Sequence, residues 1–259
     1  MNEHQIAEAA AFLAAARRSG RPGARLPESV RPQELEGALS IQRRVIDLLG
    51  EEVGGWKCSL PPAPGRINCA PILKPTIVRT SPCAIDATGA TARIEPEVAF
   101  VMARDLPRRG TAGIAESDVR AAIGETRLVL EILGTRYADP ASASWLEMIA
   151  DCVQNQGLFV GPVLPQGPDT PLAGFPVTVR ASARTLSTHD GRHGDGHPLR
   201  PLVWLANFLA ERGDPLRAGQ IVTTGSYAGA IEVPLATPLA IQFGDLGKIE
   251  LTLDRKAAA

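Results

Sequence analysis

Between Ala92 and Pro107 the chain reads ARIEPEVAFVMARDLP, where apolar and acidic residues alternate with period two. Ile94, Pro96, Val98 and Phe100 fall on one side and Glu95, Glu97 and Ala99 on the other, which predicts a half-buried strand. Both carboxylates then point the same way. Same-side neighbours on a strand stand roughly 6.5 to 7 Å apart at the backbone, so two like charges converge on one point only where a cation waits. An edge strand with an acidic solvent face is the alternative, and there Pro96 costs no ladder hydrogen bond.

A third carboxylate bears on that choice. Glu131 lies in TRLVLEILGT, which reads as a buried strand. An ionised carboxylate in such a place is costly unless it is paired, hydrogen-bonded or bound to a metal. A structural salt bridge would satisfy it. Together with Glu95 and Glu97, it offers three hard oxygen ligands with no soft donor nearby, a set that suits Mg²⁺ or Mn²⁺.

Charge and cysteine usage exclude several other classes. The net charge is -1 over 259 residues, and basic residues are scattered beyond short pairs such as Arg17-Arg18 and Arg43-Arg44. This gives no electrostatic case for nucleic acid or an acidic membrane surface. Cys58, Cys69, Cys83 and Cys152 lack CxxC spacing and a nearby histidine cluster, which argues against zinc and for a reduced cytoplasmic protein. STHDGRHGDGHP, with His189, His193 and His197 beside Asp190 and Asp195, reads as a glycine-rich flexible loop rather than a zinc site. The opening MNEHQIAEAAAFLAAARRSG reads as a helix rather than a secretory signal, and no apolar run reaches the roughly 20 residues that span a bilayer.

Along the chain, Ile6 to Arg18 reads as an alanine-rich helix. A second follows Arg31-Pro32, with Leu35, Leu39, Ile41, Val45 and Leu48 on its apolar face and Gly50 as its stop. These form an N-terminal helical cap over residues 1–53. Residues 54–259 form a β-rich catalytic domain, and no linker demands that the two be separate units. Gly54 to Pro82 is dense in glycine and proline, without helical period. Ser117 is expected to cap a short helix running through Ile123, and a further helix runs from Pro198 to Arg212. QIVTTGS, AIEVPLA and PLAIQFGDLGKIELTL are closing strands. The fold class is therefore mixed α/β and rich in strands.

GWKCSLP (Gly55 to Pro61), IEPEVAFVMARDLP (Ile94 to Pro107), LEILGTRY (Leu130 to Tyr137) and GHPLRPLVWLANFLAERGDPLRAGQIVTTGS (Gly196 to Ser226) occur in an order that resembles one family. It is the 2-keto-4-pentenoate hydratase and 2-oxo-3-hexenedioate (4-oxalocrotonate) decarboxylase group of the fumarylacetoacetate hydrolase superfamily, and the likeness covers nearly the whole chain. The resemblance implies a fumarylacetoacetate hydrolase-like fold, a divalent metal, and small 2-oxo acid substrates from the degradation of aromatic compounds. It implies Glu95, Glu97 and Glu131 as metal ligands, Lys57 as the active-site cation, and Gly225-Ser226 as a substrate-lining turn. Desolvation beside the metal is expected to lower the Lys57 pKa. A solvated surface lysine and a plain strand-end turn are the plain structural alternatives.

The implied reaction is hydration of a 2-hydroxy-2,4-dienoate, with decarboxylation of 2-oxo-3-hexenedioate as the alternative. A fumarylpyruvate-type carbon–carbon hydrolase would need a His/Glu dyad ahead of the metal motif, yet the only histidines are His4, His189, His193 and His197. A non-catalytic partner subunit is a further alternative, since members of the group associate; a homo-oligomer is implied as well. The chain departs from the family at Gly134, where an acid is usual, at Lys74 in PILKPTIV, and at Cys152 in ADCVQN. Lys74 would favour a dicarboxylate if it faced the substrate.

Overall fold

The computed structural model describes residues 1–108 and 113–257. Helix α1 (Glu3–Ser19) begins ahead of the expected Ile6 because Asn2 and Gln5 cap it reciprocally. Asn2 Oδ1 accepts the Gln5 N–H at 2.9 Å, and Gln5 Oε1 accepts the Asn2 N–H at 3.0 Å. Helix α2 (Leu35–Leu49) stops at Gly50, whose left-handed φ of 68° turns its N–H back onto the Ile46 carbonyl. Leu13, Ile41 and Val45 from these helices share one apolar cluster with Ile94 and Leu130. The cap thus packs into the core of the strands that follow it.

The glycine- and proline-rich stretch folds into β1 (Val53–Ser59), β2 (Asn68–Leu73) and β3 (Ile77–Val78), and β4 (Cys83–Ile85) follows. Next come β5 (Thr91–Met102), helix α3 (Glu116–Ala121), β6 (Ile123–Leu133), helix α4 (Trp145–Ala150) and β7 (Asn155–Val163). The hairpin of β8 (Gly174–Ala181) and β9 (Arg184–Arg192) leads to helix α5 (Leu199–Glu211). β10 (Ile221–Ser226), β11 (Ile231–Pro234), β12 (Pro238–Phe243) and β13 (Gly247–Arg255) complete the fold. Ser117 is not the cap of α3: Ala115 holds that position without a side-chain hydrogen bond.

Eight strands form one sheet in the order β2-β1-β10-β5-β6-β7-β3, with β11 also on β5. Five form a second, in the order β4-β13-β12-β8-β9. β2 runs into β3 through the single turn Lys74–Thr76, so the two ends of the larger sheet are tied together and the sheet curls on itself.

The curl gives the sheet an outside and an inside. Outside, Val98 and Phe100 of β5 and Leu128 and Leu130 of β6 join the core that holds Val177, Ile241 and Phe243 of the second sheet. Inside, Ile72, Ala99, Val129, Leu158, Val160 and Ile221 form a separate apolar cluster. β6 is buried on both faces, which explains its unbroken apolar run.

β5 is not an edge strand, because β6 flanks it on one side and β10 and β11 on the other. Pro96 is tolerated because of a local break in pairing. Its carbonyl accepts the Tyr227 N–H at 3.0 Å, so its nitrogen faces the same neighbour, where the register between β5 and β10 shifts between Thr223 and Ser226.

Candidate metal centre

Glu95, Glu97 and Glu131 meet on the inner face of the curled sheet. The β5–β6 register sets Glu95 directly opposite Glu131, and oxygens from all three carboxylates lie within 4.8 Å of one another. Glu97 is 2% exposed and Glu131 0%. Glu97 Oε2 accepts the Gly225 N–H at 2.9 Å and the Thr223 hydroxyl. Glu131 Oε1 accepts from Lys57 Nζ at 2.7 Å and Asn155 Nδ2 at 2.9 Å. Its second oxygen, Oε2, is buried with no hydrogen-bond partner among the described residues.

An orphaned carboxylate oxygen is costly in such a place. Three carboxylates against the one ammonium of Lys57 also leave a formal excess of two negative charges. A divalent cation with a taste for oxygen donors answers both needs, and the donor set fits Mg²⁺ or Mn²⁺.

Lys57 reaches the cluster from β1, and Gly55 makes that position possible. A Cβ on Gly55 would stand 2.2 Å from the Ile221 carbonyl oxygen, so only glycine lets β1 lie against β10 with Lys57 beside Thr223. Besides Glu131, the Lys57 ammonium donates to the Val153 carbonyl at 3.2 Å. That carbonyl is presented by an unusual turn: Cys152, Val153 and Gln154 all have left-handed backbone, with φ of 54°, 50° and 59°. Such residues cost about 1 to 3 kcal/mol each and persist only where their surroundings hold them. Here Arg136 grips Asp151 just before the turn and the Asn155 carbonyl just after it, at 3.0 Å. The ADCVQN departure is therefore built into the site.

Burial, reinforced by Glu131 and Glu95, pushes the Glu97 carboxyl up to about 8. Burial raises Glu95 too, with Glu131 adding to it. For Lys57, burial alone would lower the pKa, but Glu131, Glu95 and Glu97 outweigh it and the shift is upward. The protein's own carboxylates thus oppose the expected fall. Lys57 stands as a held cation, with one of its three N–H bonds beyond those to Glu131 and Val153.

The carboxylates and Lys57 open onto a cavity of about 400 Å³ that Gly225 and Ser226 also line. Ser226 Oγ is engaged with the Gly229 carbonyl at 3.1 Å, and the Gly225 N–H is spent on Glu97. The turn thus positions a carboxylate as well as lining the cavity.

His193 and Asp195 stand on the same cavity wall. The segment read as a flexible loop is in fact strand β9 up to Arg192, followed by a tight turn in which His193 is buried. Alternating small polar residues on a largely exposed edge strand concealed it. His193 Nε2 lies 2.9 Å from the Thr224 carbonyl, which only accepts, and Nδ1 accepts the Asp195 N–H at 3.2 Å. Both nitrogens are committed in a neutral Nε2–H ring, and burial lowers its pKa.

Lys74 faces solvent, 2.6 Å from the exposed Glu52, and has no part in the cavity wall. Gln156 fills the space beside Gly134: a Cβ there would meet Gln156 Nε2 at 2.5 Å, and the amide would have to shift. Asn155 and Thr223, the hydrogen-bond partners of Glu131 and Glu97, escaped the sequence reading. Their only sequence signal is position: Asn155 opens the apolar strand β7, and Thr223 directly follows Ile221-Val222 in β10.

No family model matches the chain. The 2-keto-4-pentenoate hydratase of Paraburkholderia xenovorans is 29% identical over 251 residues, which cover 90% of this chain and 89% of that protein. The 4-oxalocrotonate decarboxylase of Pseudomonas putida is 26% identical over 157 residues, covering 61% of this chain and 58% of that protein. Among solved structures, a 4-oxalocrotonate decarboxylase from Pseudomonas putida, complexed with magnesium and adipate, superposes with a TM-score of 0.78 at 20% identity, covering 98% of each chain. The resemblance read from the motifs is borne out in both sequence and fold.

Proposed function

From a chain related to the hydratases and decarboxylases of the fumarylacetoacetate hydrolase superfamily, we infer a divalent-metal-dependent lyase that hydrates a 2-hydroxy-2,4-dienoate of the 2-keto-4-pentenoate type. The buried Glu131, whose carboxylate converges with those of Glu95 and Glu97 and whose Oε2 has no hydrogen-bond partner among the described residues, carries this reading. Glu95, Glu97 and Glu131 would hold Mg²⁺ or Mn²⁺. Bound there, the ion would stabilise negative charge developing on the 2-oxo oxygen of the substrate.

The chain's own groups prepare the site for that chemistry. Thr223 and the Gly225 N–H fix Glu97, and Asn155 fixes Glu131. Lys57 lines the cavity with one N–H left beyond those to Glu131 and Val153. From there it donates a proton to a substrate carbon or hydrogen-bonds the substrate carboxylate. Ala99 and Val129 of the inner apolar cluster continue the faces of β5 and β6 that carry Glu97 and Glu131. The four buried free cysteines fit a reducing cytoplasm, and no helix among the described residues is long and apolar enough to cross a membrane.

The extent of the fold match to the decarboxylase keeps decarboxylation of 2-oxo-3-hexenedioate as the second reading. The deciding experiment follows the ultraviolet absorbance of freshly generated 2-hydroxypenta-2,4-dienoate, and separately of 2-oxo-3-hexenedioate, with Mg²⁺ or Mn²⁺ and then with EDTA. Metal-dependent loss of the first signal supports the hydratase. Loss of the second with release of CO₂ supports the decarboxylase, and turnover of neither refutes both.

A further inference from the structure

Glu95, Glu97, Glu131 and Lys57 account for part of the cavity lining. The wall formed by Ser59, Asn68 and Asp195 is not used by the chemistry above, although all three line the same space. Asp195 Oδ2 accepts the Leu60 N–H at 2.9 Å, which pins the aspartate to the chain just beyond β1. Its other carboxylate oxygen has no cationic partner among the described residues. The guanidinium of Arg200 bonds the Asp195 backbone carbonyl at 2.7 Å and is not part of the cavity wall. Asn68 donates one of its two amide N–H groups to Ser59 Oγ at 2.7 Å, and the Ser59 hydroxyl is turned to the Leu60 carbonyl at 3.4 Å. His193, beside Asp195, is neutral and fully committed.

The charges of the cavity are therefore unevenly placed. Lys57 is its one cationic lining residue among those described, and it is already bound to Glu131. A 2-oxo acid anchored by its carboxyl end at the metal site would extend its tail toward a wall carrying an unneutralised carboxylate. A second carboxylate on that tail would meet repulsion and find no free cation, a mismatch poorly screened in a partly enclosed site.

We propose that Asp195 is a specificity-determining residue that restricts this cavity to 2-oxo acids with an uncharged tail and rejects dicarboxylates. The inference rests on the reading of the site as one for metal-chelating 2-oxo acids. It sets the chain apart from the decarboxylase of the same fold, which was solved with the dicarboxylate adipate.

The test is calorimetric and uses unreactive saturated acids, 2-oxopentanoate and 2-oxoadipate, on the Mg²⁺-loaded full chain, with a separate titration of Mg²⁺ alone. The wild-type protein should bind 2-oxopentanoate at least about tenfold more tightly than 2-oxoadipate. Asp195→Asn retains an acceptor for the Leu60 N–H and should narrow that ratio to within about threefold. Equal or tighter binding of 2-oxoadipate by the wild type overturns the role of Asp195 and leaves the 2-oxo acid site standing. A ratio unchanged in a folded Asp195→Asn variant does the same. If Mg²⁺ binds but neither acid does, the functional reading falls, and this inference falls with it.

Discussion

Lys57 Nζ and Glu131 Oε1 stand 2.7 Å apart, joining β1 to β6 across the intervening strands β10 and β5. In a flat sheet three strand spacings would separate those backbones by roughly 14 Å. Inward curling brings the side chains together, so the ion pair depends on the closure of the sheet through Lys74–Thr76. The same curl brings the Val153 carbonyl to Lys57 from beyond β6. The site is thus a property of the whole sheet rather than of a single motif.

Replacing Glu131 by Gln keeps the shape and the acceptor for Asn155 while removing the charge that faces Lys57 and the cation. Supporting hydrogen bonds to metal ligands are commonly worth 10- to 100-fold in affinity, and loss of a ligand charge should exceed that. Mg²⁺ affinity measured by calorimetry should fall by roughly 100-fold or more, and metal-dependent turnover should disappear while the circular dichroism spectrum is retained. Full activity in this variant would refute the three-carboxylate assignment.

Lys57→Met separates the proton-donating role from metal binding. Turnover should fall by about 10² to 10⁴ if the ammonium acts on the substrate, while Mg²⁺ still binds. Removing one partner of a buried pair also leaves a charge uncompensated, at a cost of about 3 to 5 kcal/mol. Denaturant unfolding in EDTA should show that loss, and Mg²⁺ should recover much of it. Unaltered turnover would leave Lys57 with a structural role alone.

The Glu97 carboxyl, raised to about 8 in the fold, titrates near 4.3 in an unfolded chain. Between those values the folded protein holds a proton that the unfolded chain has released, so stability falls as pH rises through this window and levels off above it. Glu95 shifts in the same direction. The raised Lys57 pKa acts only at more alkaline pH. In EDTA, the melting temperature should decline from about pH 6 to about pH 8. A divalent cation displaces the carboxyl proton, so the stabilisation by Mg²⁺ should be larger at the alkaline end. A flat profile in EDTA would contradict the shift.

The carboxylate cluster was legible in the sequence because strand periodicity fixes where a side chain points: Glu95 and Glu97 share a face by spacing, and Glu131 stands out against leucine and isoleucine. The ends of α2 and α5 were legible for an equally local reason, since Gly50 and the Arg212-Gly213 pair stop helices in the chain itself. Asn155 and His193 were not, because each acquires its role from strands far away in sequence. Asn155 bonds Glu131 across the β6–β7 pair, and His193 holds the Thr224 carbonyl of β10. The direction of the Lys57 shift also depended on three-dimensional charge, which burial alone could not supply.

Thr223→Val tests whether the turn before Gly225 is part of the metal centre. Valine nearly matches threonine in shape and suits a strand, and Thr223 lies fully buried beside Ala99 and Lys57. The substitution removes the hydroxyl that donates to Glu97 Oε2 and leaves only the Gly225 N–H on that oxygen. Glu97 would then be held less firmly, and its raised pKa would rise further, because the Thr223 hydrogen bond works to lower it. Both effects weaken cation binding in the same direction. Mg²⁺ affinity should therefore drop about 10- to 100-fold, with the larger loss below about pH 8, where the carboxyl proton competes most. Asp195→Asn, at a residue that makes no hydrogen bond to the three glutamates among the described residues, should not shift Mg²⁺ affinity in this pH-dependent way. If Thr223→Val bound Mg²⁺ like the wild type across the whole pH range, the hydroxyl would be a packing feature of β10 and Glu97 would owe its orientation to Gly225 alone.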